Sequence, residues 1–165
     1  MDSGKKIDEY RLDNNQLSIR HLTVSKSGDV GVATQFQGEL SKRPPVSLVA
    51  WQHSGGELNR LPMPKSLTKH LKGYIADIAY DDKNHQLAVT APRGNQVLVW
   101  DLTSNSLIQQ FDIREPSGID YHNSQFILSN AQGAIYTIKK DGTSHTLNRL
   151  FTDKNITWDN HLITL

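Results

Sequence analysis

The residues of this chain best equipped for chemistry are guanidiniums, amides and one imidazole rather than clustered acids or thiols. Arg20, His21, Gln35, Gln37, Arg43, Arg93 and Asn95 fall at strand ends or in loops that the pattern described below brings to one rim. Arginine offers paired donors that match a carboxylate or phosphate. These residues are therefore candidate contacts for a small anionic ligand, or for an acidic group on a protein partner. A structural reading stands beside this one, in which Arg20 and Arg93 pair with acidic neighbours such as Asp77 and hold sheets together.

Other chemistries find little support. The seven histidines, at positions 21, 53, 70, 85, 122, 145 and 161, show no HxH or HxxxH spacing. They read as surface residues, with His85, His122 and His161 in equivalent turns, so neither a metal site nor a cofactor is expected. The run from Asp81 to Asn84 lacks the glycine and distal glutamate of a calcium loop and reads as a turn. The absence of cysteine removes disulfides, thiolate metal sites and a cysteine nucleophile, and no GxSxG, P-loop or dinucleotide fingerprint is present. Eighteen basic against seventeen acidic residues leave a formal charge of +1, which offers no strong field for nucleic acid or an anionic membrane. No run reaches the ~20 apolar residues of a membrane span, so no membrane insertion is expected. The first residues also lack the apolar core of an export signal.

The elements that must position the rim are organised around Leu87–Asp101, LAVTAPRGNQVLVWD: a strand, a Pro-Arg-Gly-Asn turn, and a second strand ending in Trp-Asp. Two flanking strands, YIADIAY and SLIQQFDI, complete a four-stranded unit, and weaker versions lie on both sides. Val24, Tyr80, Tyr121 and Trp158 close equivalent first strands at close to the roughly 40–45-residue blade period, except that a loop and a linker lengthen the first interval. Val97 to Trp100 are apolar on both faces, as suits a strand sandwiched between neighbouring units. Trp100 is read as an indole wedged between blades and Asp101 as a carboxylate tying down the next turn, both structural. Small residues in the first strands, Ala76, Ala79, Ser117 and Gly118, mark where blades crowd towards an axis.

The predicted fold is therefore all-β: a sector of a β-propeller with about three four-stranded antiparallel blades, near 17–63, 73–114 and 116–151. Segments 7–12 and 156–165 read as strands of a partial fourth blade. The extra length of the first blade lies in Gly38–Pro45 and in Pro62–Lys72, where Lys65–Leu71 suits two helical turns. In an up-and-down sheet both insertions share one end with the Pro92–Asn95 turn and the Arg114–Pro116 connection.

QLSIRHLTV, QFQGE followed by PPVSLVAW, GYIADIAY and LAVTAPRGN…VLVWDL, in this order between Gln16 and Ser129, resemble a bacterial family of unknown function, family 1513. The resemblance implies a YVTN/WD-type propeller and a parent about twice this length, of which the chain would be the C-terminal half. It also implies a periplasmic parent, while the residues themselves leave the compartment open. The functional expectation is a non-enzymatic binding or scaffold module that presents one rim to an anionic ligand or protein partner. The alternative is an enzyme of lactonase- or quinoprotein-like propeller type, whose site would need acidic or histidine ligands clustered on the axis. Open blade faces at both ends of a sector point further to a homodimer.

Overall fold

A computed structural model of the chain describes residues 4–6, 9–42 and 47–164. Ile7, Asp8, Arg43 and Leu165, which enter the expectations above, lie outside these residues.

The described residues form three four-stranded antiparallel sheets, each with its strands in chain order. The first holds β1 (Leu17–Val24), β2 (Val30–Phe36), β3 (Val49–Gln52) and the short β4 (Asn59–Arg60). Helix α1 (Lys65–His70) leads to the second, β5 (Asp77–Asp81), β6 (Gln86–Ala91), β7 (Gln96–Asp101) and β8 (Ser106–Asp112). The third holds β9 (Pro116–His122), β10 (Gln125–Asn130), β11 (Ala134–Asp141) and β12 (Ser144–Thr152).

Local chemistry sets the turns. Asp81 Oδ1 accepts the Lys83 and Asn84 amides at 2.9 and 3.1 Å, and Asp101 Oδ1 accepts the Ser104 amide at 2.8 Å. Asn130 Oδ1 does the same for Gln132 and Ala134 at 3.2 and 2.9 Å. Such side chains mimic a backbone turn and reverse the strand without leaving amides unpaired.

The second sheet is the middle layer. Leu98 and Trp100 of β7 join a core with Val49, Trp51 and Leu61 of the first blade, whereas Val97 and Val99 join one with Ile119, Phe126 and Ile138 of the third. All four β7 residues are fully buried, because alternate side chains of one strand face two different neighbours. The indole of Trp100 donates to the Pro62 carbonyl at 2.9 Å, so even its polar atom is satisfied inside the blade interface.

The loop after β2, the linker carrying α1, the Pro92–Gly94 turn and the connection into β9 share one end of the sheets. They are packed together there. A Cβ on Gly73 would lie 2.9 Å from the Leu40 side chain, and one on Gly94 would lie 3.0 Å from the Leu71 backbone.

The terminal segments correct an expectation. Residues 9–12 and 156–164 form no strand. The chain leaves β12 through a turn in which Asp153 N–H donates to the Gly133 carbonyl at 3.0 Å, then returns across the inner strands. Leu162 lies against Gly118, and the Thr164 amide and hydroxyl both donate to Asp120 Oδ2 at 2.7 Å. A fourth-blade strand needs a neighbouring strand to receive its amides, whereas the Thr164 amide goes to the Asp120 side chain of β9.

Candidate functional site

The first strands of the sheets, β1 and β5, adjoin near the axis of the sector, and the residues that face each other there depend on one irregularity. The pairing of β1 with β2 runs Ile19 to Thr34 and then His21 to Ala33, so Arg20 is an extra residue in a β-bulge. The bulge turns Arg20 outward and His21 inward. Arg20 donates from Nη2 to the Gln35 side-chain carbonyl, and Gln35 in turn forms a backbone bridge with Tyr74. The guanidinium of Arg93 lies 4.8 Å over the Tyr74 ring, a cation–π contact. The Tyr74 hydroxyl accepts from Asn160 of the tail at 3.2 Å.

Arg20, Gln35 and Arg93 thus belong to one connected strip, ordered around Tyr74. Among the described residues neither guanidinium has a carboxylate within ion-pair distance, so the expected structural pairing of Arg20 or Arg93 with Asp77 does not form. Gln37 is exposed and donates its amide to the Gln16 carbonyl at 2.7 Å. Asn95, in the left-handed conformation with φ of 55°, accepts the Glu115 amide at 3.0 Å and so ties the Pro92–Gly94 turn to the β9 connection.

The partner of Asp77 is His21, with Nδ1 3.2 Å from Oδ1. The other carboxylate oxygen lies 4.0 Å from Nδ1 of His161 on the returning tail. The two imidazole centroids are 5.2 Å apart. Asp77 is 3% exposed and is fixed by backbone donors: Ile78 N–H to Oδ1 and Ile119 N–H to Oδ2, each at 2.9 Å. The second of these crosses from one blade to the next. Burial pushes the Asp77 carboxyl above its usual range, against the pull of the Ile119 and Ile78 amides and of His21 and His161.

This cluster corrects two expectations. His161 is not in a surface strand-to-strand turn, because the segment that carries it forms no strand and lies across the axis. The axis also carries acidic and imidazole groups rather than arginine and amides alone. Nothing in the spacing of positions 21, 77 and 161 signals their meeting, which depends on the bulge and on the return of the tail.

Matching the sequence to family models covers residues 1–165 with a single family, described as proteins of unknown function. The chain belongs to the DUF1513 family. No curated relative matches the sequence of this DUF1513 chain. Among solved structures it is similar to a catalytically inactive virginiamycin B lyase from Staphylococcus aureus with quinupristin (TM-score 0.63, 15% identity, 89% of this chain and 46% of that one). It is equally similar to the hydrazine synthase of Kuenenia stuttgartiensis (TM-score 0.63, 14% identity, 91% and 40%). The WD40 repeats of RRP9 also match (TM-score 0.60, 17% identity, 85% and 40%). At these identities the likeness establishes the fold, a β-propeller sector. The DUF1513 chain spans less than half the length of each of these structures.

Proposed function

We propose that this DUF1513 domain is a non-enzymatic binding module whose rim strip takes a carboxylate or phosphate group, free or borne by a protein partner. The observation that carries this reading is the pair of guanidiniums, Arg20 and Arg93, held in order by Gln35 and Tyr74 without a carboxylate partner among the described residues. Ordering two arginine side chains costs conformational entropy, and each keeps donor N–H groups for an anion. The Tyr74 ring lies against the Arg93 guanidinium and keeps it in place.

Calorimetric titration with citrate and with inorganic phosphate tests the reading. A charge-assisted hydrogen bond contributes about 1.5–3 kcal/mol, so Arg20→Ala and Arg93→Ala should each weaken binding about tenfold or more. Affinity for neither anion, or affinity unchanged in the double variant, would overturn it.

One observation favours the second reading, an enzyme with a site on the propeller axis: the convergence of His21, Asp77 and His161.

A further inference from the structure

Three side chains from distant parts of the sequence present ligand atoms to one point: His21 on β1, Asp77 at the start of β5 and His161 on the tail. These atoms all lie within 4.8 Å of one another. Hydrogen bonding accounts for only part of the arrangement. His21 Nδ1 at 3.2 Å is near the outer limit for donation to Asp77, and His161 Nδ1 at 4.0 Å is beyond it. Two ring nitrogens therefore face a buried carboxylate whose oxygens already accept the Ile78 and Ile119 amides.

We propose that His21, Asp77 and His161 form a binding site for a divalent cation of the zinc class. Two imidazole nitrogens and one carboxylate oxygen are the donor set that suits zinc and neighbouring transition metals, whereas calcium and magnesium demand mostly oxygen. At metal–ligand distances of about 2.0–2.2 Å, adjacent ligand atoms lie roughly 3–3.5 Å apart. The His21–Asp77 separation of 3.2 Å already meets that requirement. His161, on a side chain 60% exposed, has to move inward by about 1–2 Å to bring separations of up to 4.8 Å within that range. The Ile78 and Ile119 amides hold the carboxylate, as outer-shell donors do around bound metals. Three protein ligands leave a fourth position for water or for a ligand atom, and the exposed His161 side is where it opens.

The inference is independent of the rim reading, because metal binding is measured without any anion. The whole chain, freed of metal by chelation, is titrated with Co2+ and then Zn2+, followed by visible absorption and native mass spectrometry. The expected result is one Co2+ per chain, with the intense ligand-field bands of low coordination, displaced by Zn2+. His21→Ala should abolish the bands and His161→Ala should weaken binding about tenfold or more, with far-ultraviolet circular dichroism unchanged in both. Because His161 lies outside every strand, its variant keeps the test valid even where His21→Ala disturbs the first blade. Failure to bind Co2+ and Zn2+ stoichiometrically, or binding unaltered in both variants, would overturn the proposal.

Discussion

The buried Asp77 carboxylate ties the second blade to the third. Both of its oxygens accept backbone amides, one of them from the next blade, so Asp77→Asn must turn its amide nitrogen towards an N–H group. Leaving a buried donor unmatched costs about 1–3 kcal/mol, and that is the loss expected in urea unfolding at pH 7; an unchanged midpoint would contradict the clamp. Asp29 makes a second prediction of this kind. Burial raises its carboxyl, but the Ser54 amide at 2.8 Å and the Ser27 and Ser25 hydroxyls at 2.7 and 3.1 Å outweigh that and hold it below the usual range. A folded-state pKa below the unfolded one contributes stability above about pH 4, and this is lost as pH falls through the lowered value. Wild type should therefore exceed Asp29→Asn in stability at neutral pH, with the gap narrowing in acid when both are unfolded by urea at a series of pH values.

At the scale of elements, β7 and the returning tail decide most. Trp100 is fully buried between the first two blades with its indole N–H bonded to Pro62, so Trp100→Ala should cost about 3–5 kcal/mol as a core aromatic truncation. Equilibrium denaturation with stability unchanged would refute that packing. The tail offers a more selective test. A Cβ on Gly118 would come within 2.6 Å of the Leu162 backbone nitrogen, and backbone gives way less readily than a flexible side chain. Gly118→Ala should therefore release residues 156–164 while the sheets persist, seen as faster hydrogen exchange in the tail alone. Protection that stays as in wild type would show that the tail is held elsewhere.

At the scale of the molecule, three blades leave faces that a closed ring would cover. On β1, Ile19, Leu22 and Val24 are 52%, 61% and 56% exposed. Apolar side chains grouped on one strand at the end of a sector have the chemistry that association needs. For the 165-residue chain taken by itself, a second copy is the expected occupant of that face. Sedimentation at micromolar concentration should show self-association that Leu22→Lys weakens, with the thermal midpoint of the isolated chain little changed. A monomer at every concentration would count against it.

The blades are legible in local pattern. Alternation along strands, Asx residues at the turns and the doubly apolar run Val97–Trp100 act within one hairpin or between adjacent ones, so three sheets in chain order were legible, as was the rim shared by the Pro92–Gly94 turn and the α1 linker. Residue type and position, at strand ends for Arg20 and Gln35 and in a turn for Arg93, single these residues out, but their ordering about Tyr74 leaves no mark in the sequence. What meets at the axis depends on packing between distant segments. One extra residue in β1 exchanges the facing of Arg20 and His21, and residue alternation read from sequence carries no mark of such a bulge. The tail reads as a strand by composition, yet a strand exists only where a partner strand receives its hydrogen bonds, and β9 meets the tail with Gly118 and the Asp120 carboxylate. The meeting of His21, Asp77 and His161 follows from those two events, each of them a property of packing between segments far apart in the chain.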